Sequence, residues 1–184
     1  KIEHAGAPYD ETLNFSALSL YGVGLYTSIE NLWINESLHD GLVARGGTFS
    51  MEEVLITQSG ETAATFNSDW SGEWEGLYLH NSGNNGLNYL TMPSQSDAES
   101  LRLARTSIVG AAEKGITLFN HLSLQQFEQL YLADTPLGID FNAFSGIETE
   151  QLLSDFRFES VERFSNEAAF NSWFQNSTSL PFSR

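Results

Sequence analysis

Ser96 to Gly115, SDAESLRLARTSIVGAAEKG, is the stretch on which the fold assignment turns. Ser96 and Glu99 stand three apart, the spacing of a helix capping box. Leu101, Ala104, Ile108 and Ala111 follow at intervals of three and four. Lys114 and Gly115 close the segment with a cation and a residue that accepts a left-handed turn. The spacing predicts a helix.

Downstream the same reading continues. Ser123 with Gln126 opens a second helix that carries Phe127, Leu130 and Tyr131 inward and stops before Pro136. Ser145 with Glu148 opens a third, with Leu152, Leu153 and Phe156 on one face. A fourth spans Asn166 to Gln175 and presents Phe170, Trp173 and Phe174. Phe156-Arg157-Phe158 reads equally as the start of a strand.

Upstream the period changes to two. Leu13, Phe15, Ala17, Tyr21, Val23, Leu25 and Ile29 share one parity, which fits one bent strand or two short ones. Ile29, Leu32 and Trp33 then stand at helical spacing, so a short helix is expected over 29–38. Val54 to Thr57 and Thr62 to Phe66 flank Ser59-Gly60 and predict a hairpin. Residues 73–80 and 87–92 flank the run Asn81 to Gly86 and predict a second. No internal repeat or low-complexity tract stands out. The expected fold is a single α+β domain over residues 1–184, β-rich over 12–92 and helix-rich over 96–175. Antiparallel hairpins form its sheet and the helices pack on one face.

Composition limits the function. Apolar residues at 41 % and aromatics at 12 % supply a hydrophobic core, and 17 % charged residues are too few for a disordered tail. The formal net charge is −16. Only Lys1 and Arg45 are basic in the first 92 residues, so the cluster of cations that a nucleic acid or an anionic membrane surface requires is missing there. No apolar run approaches the roughly 20 residues of a membrane-spanning helix. With no cysteine, disulfide, thiolate and Cys-ligated metal chemistry are all excluded. An acidic, lysine-poor chain that begins on Lys1 suits a secreted or periplasmic setting. Sequons at Asn14, Asn35 and Asn176 are about as many as chance supplies.

Asp69 to His80, DWSGEWEGLYLH, is the most suggestive stretch for function. On an unbroken strand Trp70, Trp74, Tyr78 and His80 share one face. Exposed rings stack on sugars, and Asn84 and Asn85 in the following loop can hydrogen-bond hydroxyls. A carbohydrate or another neutral polar surface, including that of a protein, is the expected partner of a non-catalytic binding domain. An ordinary half-buried strand gives the same pattern, with the aromatics in the core.

Two alternatives stand beside that reading. Glu73 and Glu75 lie about 6.7 Å apart along a strand, within the ~6.5–9.5 Å carboxylate separation of inverting glycosidases, which allows an extracellular glycan hydrolase. Asp140, Asn142 and Glu148, with Ser145, supply oxygen ligands in one loop, which allows a calcium-stabilised structural module. Phe144 and Ser145 break the EF-hand pattern there, and no other cofactor is suggested. His39, with Asp40 and Glu36, is the best local group of metal-ligand types among four scattered histidines. His121 reads as a structural residue, and Arg45 as a group that pairs with a surface acid or clamps a ligand carboxylate.

Overall fold

The computed structural model describes residues 1–6, 14–70, 72–90, 102–119, 125–140 and 156–159. Among these residues every regular element is a strand. In chain order they are β1 (Ile2–Glu3), β2 (Leu18–Val23), β3 (Ser28–Asn35), β4 (Leu42–Gly47), β5 (Ser50–Ser59), β6 (Ala64–Trp70) and β7 (Glu73–Ser82). There follow β8 (Asn85–Leu90), β9 (Arg102–Ala111), β10 (Lys114–Phe119), β11 (Gln125–Ala133), β12 (Leu137–Asp140) and β13 (Phe156–Glu159). Odd-numbered strands form one seven-stranded sheet, here sheet I, and even-numbered strands a six-stranded sheet II. Every pairing is parallel. The chain alternates between the sheets, one strand in each per turn, and winds a parallel β-solenoid.

The expected α+β fold is therefore corrected. From residue 102 on, the first predicted helix is β9 and the start of β10, and Gln125–Ala133 is β11 rather than a second helix; residues 96–101 and 123–124 lie outside the described residues. The short helix over 29–38 is β3. Strands occupy both predicted hairpins, but β5 and β6 lie in different sheets, as do β7 and β8. Each turn is a corner of the solenoid and not a reversal. Residues 145–155 of the third predicted helix and the whole of the fourth lie outside the described residues. Phe156–Glu159 is the strand that the sequence also allowed.

A repeat exists, in register rather than in identity. Trp33 pairs with Leu55, Leu55 with Tyr78, Tyr78 with Ser107 and Ser107 with Tyr131, steps of 22, 23, 29 and 24 residues. In sheet II, Leu42, Ala64, Leu87, Ile116 and Ile139 follow at steps of 22, 23, 29 and 23. Each corner after sheet I is tied to the next through its backbone: Gly60 N donates to Ser37 O at 2.8 Å, Gly83 N to Ser59 O at 2.8 Å and Ala112 N to Ser82 O at 3.0 Å. The turn amides are thereby paired from rung to rung.

A second column explains the misread period. Asn31, Glu53, Gly76 and Arg105 occupy equivalent positions on four rungs, and all have positive φ, 55°, 53°, 77° and 52°. The ladder skips them, because Glu30 pairs with Glu52 and Leu32 with Val54. Each is an extra residue that reverses side-chain parity, as a β-bulge does. Inward residues are consequently spaced three and then two, as in Met51, Val54, Ile56 and again in Trp74, Leu77, Leu79. A three-residue interval in an apolar pattern imitates a helix.

Like residues stack inside. Ile34, Ile56, Leu79 and Ile108 are at most 2 % exposed, and Leu42, Ala64, Leu87 and Ile116 face them from sheet II with none. Phe49, Phe66, Trp70 and Trp74 form an aromatic cluster, with the Phe66 and Trp74 rings edge-on at 3.9 Å between centroids. Among the described residues no helix is long and apolar enough to cross a membrane.

Candidate functional site

The bulge at Gly76 decides where the predicted aromatic stretch points. Trp74 faces inward and is 2 % exposed, and Trp70, on the opposite sheet, is 3 % exposed. Their centroids lie 5.2 Å apart, and Tyr89 Oη donates to the Trp70 carbonyl at 3.2 Å. Neither indole offers a face to a ligand. Beyond Gly76 the parity reverses, so Leu77 and Leu79 turn inward while Tyr78 and His80 lie on the outer side of sheet I. Tyr78 is buried even there, at 1 % exposure, and His80 is half-buried.

Around Tyr78 sits a titratable cluster that the sequence did not suggest. Arg105 Nη2 donates to Glu53 Oε1 at 2.7 Å and lies 3.2 Å from Glu75 Oε1. The Glu53 carboxylate reaches Arg105 across Gly76, where a Cβ would meet all three of its terminal atoms at 2.9–3.0 Å. Burial, and then the Glu53 charge, push the Tyr78 phenol far above the ordinary tyrosine range, so it stays protonated. Glu53 and Arg105 are 52 residues apart, and only two solenoid steps bring them together. This is a clamp across three rungs. Glu73 and Glu75 are both exposed on β7, with Glu75 drawn to Arg105.

The Asn-rich loop is a ladder too. Asn85 Nδ2 donates to Asn88 Oδ1 at 2.9 Å, and Asn88 Nδ2 to Thr62 Oγ1 at 3.3 Å. Thr62 N and Thr65 Oγ1 donate to the two oxygens of Asp40, at 3.0 and 3.3 Å. Burial raises the Asp40 pKa above its ordinary value. Asn84 is half-buried, and its N donates to Glu61 O at 3.1 Å. The local ligand group around His39 is dispersed: His39 Nδ1 lies 3.1 Å from Glu61, and Glu36 pairs with His4 at 2.7 Å. Asp140 is held by Lys114 Nζ at 2.6 Å, whereas Asn142, Glu148 and His121 lie outside the described residues. Among the described residues no three metal-ligating groups converge.

Rings do face solvent elsewhere. Tyr21 on β2 is 62 % exposed, and Tyr26, in the corner that follows, is fully exposed. Arg45 pairs with Tyr21 in register and holds its guanidinium 5.7 Å from the Tyr21 centroid, with Asn67 next along the row. Among the described residues Arg45 has no acidic partner, although the chain carries three acids for each base. Period-two reading gave Tyr21 the parity of Val23. Left-handed Gly22 and Gly46, side by side at φ 60° and 63°, form another bulge and turn Tyr21 outward.

This surface lies on a scaffold that comparison identifies. A family model described as a pectate-lyase-like β-helix domain matches residues 1–176. Neither a curated protein nor a solved structure matches the chain.

Proposed function

The chain belongs to the pectate-lyase-like β-helix domain family, and from that premise we propose that it is a carbohydrate-recognition module of an extracellular or periplasmic protein. The fold is a carbohydrate-related one. The observation that carries the reading further is the exposed pair Tyr21 and Tyr26 beside an Arg45 that has no acidic partner among the described residues. Tyrosine combines an apolar ring with a polar tip, which suits a sugar's apolar face and its hydroxyl rim. Arg45 adds a planar fork of donors for ring or hydroxyl oxygens.

Recognition is favoured over hydrolysis on geometry. Hydrolysis needs two carboxyl groups flanking one bond, one as acid and one as base or nucleophile. Glu73 and Glu75 stand side by side on one strand, and Glu75 Oε1 lies 3.2 Å from Arg105 Nη2. The experiment is a glycan array followed by titration of wild type, Tyr21→Ala, Tyr26→Ala and Arg45→Gln, with reducing-sugar release measured in parallel. Weaker binding in the tyrosine variants without turnover supports recognition. An array with no hits, or binding indifferent to all three substitutions, defeats it.

A further inference from the structure

The solenoid is uncovered at its first rungs. In sheet II, β2 is the last strand, and among the described residues it pairs with β4 alone. In sheet I, the two residues of β1 pair only with Ile34 and Asn35 of the eight-residue β3. The core shows the consequence. Leu18 and Leu20 pair with Leu42 and Ala44, which are fully buried, yet both are only half-buried themselves. Ile29 and Leu32 likewise stand half-buried beside Met51 and Val54, which are buried. Leu25, in the corner after β2, is 67 % exposed.

An edge strand presents a row of unpaired backbone N–H and C=O groups, and proteins commonly guard one with charge or proline. Residues 12–29 contain neither, in a chain that is 17 % charged. The bulge at Gly22 is matched by Gly46 on β4, so β2 keeps in step with its neighbour. Residues 14–35 form the end rung, and their single charge is Glu30, exposed on sheet I. Around β1 the charges are already paired, Lys1 Nζ with Glu3 Oε1 and His4 Nδ1 with Glu36 Oε2, each at 2.7 Å.

That composition selects the partner. At a net charge of −16, two copies of the chain repel each other wherever acidic surfaces face. The uncharged edge is where they can meet without that cost. A two-fold axis normal to the sheets sets β2 antiparallel to β2 of the second copy and joins the six-stranded sheets edge to edge. Leu18 and Leu20 of each copy then close the open end of the other's core. One rung is 22 residues, Trp33 to Leu55, within the roughly 20–30 that each partner gives to a standard interface.

We propose that the protein forms a two-fold dimer through this edge, with the end rung of a second copy as its occupant. Tyr21 points from the outer face of sheet II, beside the joint and not across it, and the pairing involves no glycan.

Sedimentation equilibrium of the full chain without carbohydrate, over a wide concentration range at low and high salt, tests it. Proteins are wild type, Ser19→Lys, Ser19→Glu, an equimolar mixture of those two, and Gln58→Lys as a charge on another corner. Ser19 lies mid-strand, so its two copies stand directly or diagonally across the joint. Wild type should show a monomer–dimer equilibrium that tightens with salt, because the net charge is screened. Each Ser19 variant should dimerise at least about tenfold more weakly. The mixture should recover the wild-type value, and Gln58→Lys should match it. Circular dichroism of each variant at low concentration checks that it folds, and the wild-type measurement decides by itself where one does not. Wild type that stays monomeric at every concentration overturns the dimer. Mass that grows beyond two copies overturns the two-fold contact in favour of a head-to-tail one. A mixture that dimerises no better than its components overturns the meeting of β2 with itself.

Discussion

Replacing Gly76 by alanine tests the clamp between rungs, because the structure separates its two costs. Gly76 has φ 77°, where an L-residue loses about 1–2 kcal/mol. The added Cβ would also lie 2.9–3.0 Å from the Glu53 carboxylate, which must swing away and release Arg105. A hydrogen bond between charged groups contributes about 1.5–3 kcal/mol. The lower end applies here, because the Arg105 side chain is 29 % exposed and partly screened. The whole loss is about 3 kcal/mol. Gly22 supplies the control: φ is 60° and nothing lies within 4 Å of its missing Cβ, so alanine there costs only about 1–2 kcal/mol. Urea denaturation measures both, with an unchanged m-value as the check that unfolding stays cooperative. In a Glu53→Ala background the cost of Gly76→Ala should fall to that of Gly22→Ala. Equal losses at Gly76 and Gly22 in the wild-type background would falsify the clamp.

Three further outcomes follow from the described contacts. Burial raises the Asp40 pKa, so the folded state binds that proton more tightly than the unfolded chain, whose ordinary value is 3.8. The resulting stability is full below that value and is lost as pH rises through the folded pKa. Asp40→Asn should therefore gain in melting temperature on wild type between about pH 4 and neutrality, and a constant offset across that range contradicts the raised pKa. Phe66→Ala empties the centre of the aromatic cluster and should cost about 3–5 kcal/mol in urea; a loss under about 1 kcal/mol means the cluster is not packed as described. Lys114→Met leaves Asp140, only 5 % exposed, without its cation and should cost about 3 kcal/mol. Asp140→Asn in that background should recover most of it.

In the first half β2 and β5 to β8 were legible as strands, because β-branched runs such as Val54 to Thr57 leave little choice, whereas β3 read as a helix and β4 as turns. Their pairing was not. Ser59-Gly60 and Asn81 to Gly86 are turn sequences, and the sequence does not distinguish a reversal from a solenoid corner. The first two helices expected in the second half were an error of period. A left-handed residue at Gly76 or Arg105 adds one position to the apolar spacing, and the result resembles a helical face. The repeat had a signal that went unread: serine at 37, 59 and 82, and glycine at 41, 86, 115 and 138. The same bulges defeated the site prediction. They sealed Trp74, separated Tyr78 from it and turned Tyr21 toward solvent. The clamp from Glu53 to Arg105 could not have been found without the rung length, since its partners are local only in the wound chain.

One step of the solenoid is 29 residues where its neighbours are 22 to 24, yet Trp74 still meets Leu103 and Leu87 still meets Ile116 in register. Both ladders thus keep count across a step five to seven residues longer than its neighbours, so the strands, and not the length of chain between them, set the register.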